Sequence, residues 1–168
     1  MNKEISKLVS RAKEHDADAF MQLVQPYTKK LYQTALSILV NDEDAADAIQ
    51  ETILNCWEKI HTLKESQYFY TWMTRILINN CYDICKKRAR YVEMQDYEEP
   101  AVYDQYNLEL KEALLFLDEK YRLPMMLFYG EGYSIKEIAK LLEIPISTVQ
   151  TRLSRGRIRL AKYYAADL

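Results

Sequence analysis

The residues best equipped for recognition chemistry lie near the end of the chain. Gln150, Thr151, Ser154 and Arg155 fall on one side of a helical period, with Arg152, Arg157, Arg159 and Lys162 alongside. From Ser147 to Lys162 there are five basic residues and no acidic one. Amide, hydroxyl and guanidinium groups near the start of a short amphipathic helix can pair with base edges in a DNA major groove, which admits such a helix. The candidate contact set on this helix is Ser147, Thr148, Gln150, Thr151, Arg152, Ser154, Arg155 and Arg157.

Covalent chemistry finds no comparable support. His15 and His61 are the only histidines and are far apart in sequence, each most simply a surface residue. Cys81 and Cys85, four apart on one helix, could form half of a zinc site. Without convergent partners their spacing favours core packing, and Cys56 falls at a core position. No Ser-His-acid or Cys-His arrangement can be assembled. The three glycines, Gly130, Gly132 and Gly156, leave the first 129 residues without any, which excludes a P-loop or dinucleotide fingerprint. No catalytic residue, metal site, cofactor or small-molecule substrate is expected.

The elements that must position the basic helix are legible around it. Ser134 to Lys162 reads as two helices joined by a turn, a helix-turn-helix, with a capping box expected at each start: Ser134 with Glu137, then Ser147 with Gln150. Pro145 is expected to stop the first helix and set the turn. Val149, Leu153, Gly156, Leu160 and Tyr163 form the packing face of the second.

The remainder predicts an all-α chain of two small helical domains, 1–90 and 108–168, joined by a flexible acidic linker over 91–107. Hydrophobic residues are 49% and charged residues 29%, ordinary for a globular protein. The net charge of −2 is unevenly spread: +1 over residues 1–90, −5 over 91–108 and +2 over 109–168. A protein that finds DNA alone is usually more basic, so a partner is expected to supply part of the binding. The absence of a signal peptide or a long apolar span, and the odd cysteine count, predict a cytoplasmic protein that does not insert in a membrane.

Four helices are expected before the linker. The first covers about Lys3 to Gln25, with Asp16 or Asp18 as a candidate break. The second starts near Pro26, the third runs from Asn41-Asp42 to about Ile60, and the fourth from about Phe69 to Arg90. On the third, Ala46, Ile49, Ile53, Cys56 and Ile60 predict a core stripe, while Asp44, Asp47, Glu51, Asn55 and Glu58 predict an acidic face. That face is either simply solvated or a dock for a basic partner. The fourth opens with the aromatic cluster Tyr68 to Trp72 and ends in Lys86, Lys87, Arg88, Ala89 and Arg90. Rings beside cations and amides suit single-stranded bases and phosphates, although Trp72 alone fits a core as well. After the linker, helices are expected over Leu108 to Leu117 and Lys120 to Tyr129.

Taken in order, DAADAIQETILNCW (Asp44 to Trp57), FYTWMTRILINNCYDICKKR (Phe69 to Arg88), the acidic linker and the helix-turn-helix resemble the extracytoplasmic-function sigma factors of the sigma-70 family. The resemblance covers nearly the whole chain and rests on order and spacing. It implies that Asp44, Asp47, Gln50, Glu51, Asn55, Trp57 and Glu58 dock on the β′ clamp helices of core RNA polymerase, with a further contact to the β flap. It implies that Lys64, Ser66, Gln67, Tyr68, Trp72, Arg75, Asn79, Lys86, Lys87 and Arg88 meet the −10 element. In that reading the loop His61 to Tyr68 captures a flipped base, and the last helix reads the −35 element. It further implies control by an anti-sigma factor. Ile53 stands where the family often has Phe, and Gly156 where Ala is commoner, at roughly 1 kcal/mol of helix propensity. Two other readings remain at this point: a free-standing helix-turn-helix regulator, and a helical adaptor with no role on DNA.

Overall fold

The computed structural model describes residues 2–92, 112–113 and 115–166. Every regular element among them is helical. The first part contains α1 (Asn2–Lys13), α2 (Ala17–Val24), α3 (Thr28–Leu39), α4 (Asp42–Lys59) and α5 (Phe69–Val92). The second contains α6 (Glu119–Met125), α7 (Ile135–Leu142) and α8 (Ile146–Ala166). Residues 93–107 of the expected linker and half of the Leu108 to Leu117 helix lie outside the described residues, and α5 runs two residues into the expected linker.

Local chemistry sets most boundaries. The expected break in the first helix is real: Asp16 caps α2, its carboxylate accepting from the Ala19 N–H at 3.0 Å, and Arg11 pairs with the same side chain. Pro26 lies in a 3₁₀ turn, Gln25–Tyr27, that leads into α3. Asn41 caps α4 by accepting from the Asp44 N–H at 3.0 Å. Three acidic residues in that first turn, Asp42, Glu43 and Asp44, complement the helix dipole. The Ser134–Glu137 capping box forms in both directions, at 2.8 and 3.3 Å.

Three local expectations are corrected. First, α7 ends at Leu142 because Glu143 takes the left-handed conformation (φ 55°), so Pro145 shapes the turn without being the stop. Second, α8 opens at Ile146, which puts Ser147 inside the first turn instead of at its cap. The Pro145 carbonyl accepts from Thr148 and Val149, and the Ser147 carbonyl accepts from the Thr151 hydroxyl. Third, the buried stripe of α4 is Ala45, Ala48, Ile49, Thr52 and Cys56, while Ala46 is exposed and Ile53 half-buried. Small residues on both flanks made the rotation ambiguous in sequence.

The first part packs α4 along α5, and α3 against both. Leu31, Ala35, Leu39, Met73, Leu77 and Cys81 are among its core. In the second part, α6 lies across α8, and Gly156 sits at that crossing. A Cβ there would fall 2.9 Å from the Met125 side chain and 3.6 Å from Tyr121 Cβ, so the missing methyl admits the thioether. α3 is informative in another way. From Thr34 to Leu39 every residue is buried, which a helix achieves only when covered on more than one side. Its second cover comes from α6 and the turn that follows it, so the two parts share one hydrophobic core.

Candidate nucleic-acid interface

The recognition side of α8 is built as the spacing predicts. Val149, Leu153 and Gly156 are buried, and Gln150, Thr151, Ser154 and Arg155 are exposed on the other side. Ser147, Thr151, Arg152 and Arg155 line a shallow hollow of about 240 Å³ with Lys120 and Tyr121. Further along, Arg159 pairs with Asp118 at 3.0 Å and lies 4.9 Å over the Tyr121 ring. Arg157 donates to the Tyr129 hydroxyl at 3.0 Å. Arg159 and Arg157 are thus braced against the body of the second part; Arg155 is exposed beside Tyr121, and Gln150 projects outward. Thr148 is half-buried.

On α4 the solvent face holds Asp47, Gln50, Glu51 and Glu58. Leu54, 57% exposed among them, was not singled out from the sequence, yet an apolar residue ringed by carboxylates suits a protein contact. Three residues expected on this face point elsewhere. Asp44 forms an ion pair with Arg88 of α5. Asn55 donates to the Asn80 side chain at 3.3 Å, and Asn80 in turn donates to the buried Thr52 hydroxyl at 3.0 Å. Trp57 packs edge-on against Phe20 at 5.2 Å and His15 at 6.1 Å. These three fix α4 within the bundle.

The α5 side divides similarly. Trp72 is half-buried and leans on Phe69 at 6.0 Å, as its sequence context allowed. Arg75 and Asn79 are exposed, while Asn80 turns inward to α4, which separates the roles of the adjacent asparagines. Lys86 and Lys87 are exposed; Arg88, tied to Asp44 and to the Leu39 carbonyl at 3.1 Å, joins the N-terminus of α4 to the C-terminus of α3. The loop before α5 is held by Lys13 donating to the Leu63 carbonyl at 2.6 Å, leaving Lys64, Gln67 and Tyr68 exposed and Ser66 half-buried.

Arg75, Asn79 and Arg152 line one cleft of about 680 Å³ between the two parts. Residues expected to read two separate DNA elements therefore face each other. The cysteines behave as core groups: burial pushes the Cys56 and Cys81 thiols up to about 12 and raises Cys85 as well. No cluster of three or more metal-ligating side chains occurs among the described residues.

Comparison with known proteins places this geometry. Residues 23–91 match the family described as sigma-70 region 2, and residues 107–160 match sigma-70, region 4. The chain belongs to the extracytoplasmic-function sigma factors of the sigma-70 family, which bind core RNA polymerase and promoter DNA. It is 33% identical to the ECF RNA polymerase sigma factor SigW of Bacillus subtilis (strain 168), over 96% of this chain and 97% of that one. A solved structure of the sigma factor RpoE in complex with the anti-sigma factor NepR from Bartonella quintana matches with TM-score 0.77 at 27% identity, covering 89% of this chain and 98% of that one. CnrH in complex with the cytosolic domain of CnrY matches with TM-score 0.75 at 25% identity, over 98% and 99% of the two chains. Family membership replaces both the free-standing regulator and the adaptor readings. No described helix is long and apolar enough to cross a membrane.

Proposed function

We propose that the two exposed faces divide the work of a promoter-specific initiation factor. The exposed part of the α4 face, Asp47, Gln50, Glu51, Leu54 and Glu58, docks on the β′ clamp helices of core polymerase, and the second domain adds a contact to the β flap. α8 reads the −35 element through Gln150, Thr151, Ser154 and Arg155, with Arg152 and the first-turn hydroxyls on the phosphates. Trp72, Arg75 and Asn79 meet the −10 element, and the loop with Lys64, Ser66, Gln67 and Tyr68 holds an extruded base. Extrusion makes a base edge readable at a cost of a few kcal/mol, which contacts with polymerase and single strand offset. Domain boundaries at about 90 and 108 follow from this division.

The observation that carries this reading is the pairing of an acidic face with a central apolar residue on α4 and an outward polar face on α8, within segments that match regions 2 and 4. Each module binds weakly alone, and attachment to one polymerase raises the effective concentration of both. The solved relative RpoE, bound to the anti-sigma factor NepR, supports the same kind of control here. Run-off transcription with purified core polymerase tests the function. A discrete start on a host promoter fragment is expected; no specific transcript from any fragment overturns it.

A further inference from the structure

Between α6 and α7 the chain leaves regular α-helix. Met126–Gly130 forms a π turn, the Glu131 N–H donating back to the Met126 carbonyl at 3.0 Å. Such wide turns re-aim the side chains that follow them. Gly132, at φ +79°, then reverses the chain where an L side chain would be strained. The result drives Glu131 and Tyr133 into the other domain.

Glu131 is only 7% exposed. One carboxylate oxygen accepts from the Thr34 hydroxyl at 3.1 Å and the other from the Tyr70 hydroxyl. Tyr133 donates to the Thr74 hydroxyl at 3.1 Å. Its ring is parallel to Tyr70 at 5.9 Å, and Tyr70 stacks on Tyr27 at 4.2 Å, so three tyrosines form a column across the junction. Beside it Arg75 donates to the Lys140 carbonyl at 3.1 Å. The cleft over Arg75 and Asn79 is closed from the other side by Asp118, Glu119 and Glu143 together with Lys120 and Arg152, so the cations there share the space with carboxylates.

Geometry excludes promoter reading in this arrangement. The −35 and −10 elements are separated by roughly 25 base pairs, on the order of 85 Å at 3.4 Å per step. A compact chain of this length has a radius of gyration of about 15 Å and is about 40 Å across. The match to RpoE at TM-score 0.77 over 89% of this chain requires both domains to superpose together, so the same closed arrangement occurs in a sigma factor held by its anti-sigma factor.

We propose that this chain closes on itself without a partner, and that the Gly130–Tyr133 segment is the latch, with Glu131 seated between Thr34 and Tyr70. Closure ties Arg75 to the Lys140 carbonyl and sets Asn79 in the cleft between the two parts until binding to core polymerase draws the domains apart. Hydroxyls hold the carboxylate, and opening returns it to water, so the latch is releasable. Burial raises the Glu131 carboxyl above its ordinary range, consistent with that incomplete compensation. The proposal concerns closure itself and rests on the sigma reading only for what closure inhibits.

The test uses the full chain, by small-angle scattering and by affinity for purified core polymerase. Wild type and Glu131→Gln, which keeps an acceptor without the charge, should both be compact at about 15 Å. Glu131→Arg places a cation beside Lys30 and removes the acceptor. It should expand the chain by several ångströms and tighten apparent core affinity by about tenfold, because the competent population no longer has to be released. Tyr70→Phe, which keeps the ring column, should move both readings the same way by less, and decides the matter if the arginine variant loses its helical signal. An expanded wild type, or equal dimensions for Glu131→Gln and Glu131→Arg, overturns the latch. Failure of wild type and every variant to bind core overturns the sigma reading instead.

Discussion

α5 and α8 are both long helices carrying cations that we propose meet DNA, yet the fold treats them differently. α8 turns Gln150, Ser154 and Arg155 to solvent, braced from behind by Tyr121, Tyr129 and Asp118. α5 has Arg75 engaged by the Lys140 carbonyl and Asn79 facing a cleft that the second domain lines with Asp118, Glu119, Lys120, Glu143 and Arg152. One proposed reading surface stands clear in the free chain, and the other shares a cleft with the second domain. The free chain should therefore sense duplex DNA only through its C-terminal domain, and acquire its second reader from polymerase.

The largest effect that sharpens this contrast should come from α4, because the second reader depends on docking. Asp47→Lys with Glu51→Lys reverses two charges on the exposed face and should weaken core binding by more than about 100-fold, as removal of paired interface charges commonly does. Fluorescence titration with purified core checks it, and helical content by circular dichroism should be unchanged. Next, Arg155→Glu should lower both duplex binding by the free chain and transcription by the holoenzyme by about 10- to 100-fold, the range of one good base or phosphate contact. Arg75→Glu should leave free-chain duplex binding within about twofold while reducing holoenzyme transcription comparably. Equal loss of free-chain binding in the two variants breaks the comparison.

How these differences could be read from sequence is uneven. The helices, the Asn41 and Ser134 caps and the outward set on α8 follow from local spacing and cap chemistry, and these the residues announce. The rotation of α4 was missed because Ala45, Ala46 and Ala48 give no local sign of which side is buried. The second capping box was missed because the Pro145 carbonyl can open α8 as readily as a serine side chain. Glu131 was invisible for a different reason: a charged residue between two glycines reads as a solvent-exposed turn. Its partner Thr34 lies 97 positions away. The same distance hides why α3 has no solvent face from Thr34 to Leu39. Contacts that exist in only one arrangement of two domains leave little periodic trace in either.

Two smaller effects refine the comparison at the junction itself. Gly132→Ala forces a side chain into φ +79° and should cost about 1 kcal/mol or more, lowering the thermal midpoint by several degrees. The loss should be smaller in the Glu131→Arg background if the turn relaxes once released. The last is a pH dependence. Glu131 has a raised pKa when closed, so protonation favours closure. The contribution is fully present below the ordinary value of 4.5 and is lost as pH rises through the raised value. The neighbours are Lys30 from α3, which opposes the shift, Tyr70 from α5, and Tyr133, which stays protonated because burial pushes it up to about 12. Scattering across mildly acidic to neutral pH should show the chain loosening as pH rises, and Glu131→Gln should abolish the trend.

The tyrosine column has one more consequence. Tyr27 and Tyr70 belong to one domain and Tyr133 to the other, and the Tyr70 and Tyr133 rings are held within 5° of parallel. Parallel phenols at fixed spacing couple their electronic transitions, and freely rotating ones do not. The chain thus carries its own optical gauge of domain separation, readable in the near-ultraviolet circular dichroism of the unlabelled protein as polymerase is added.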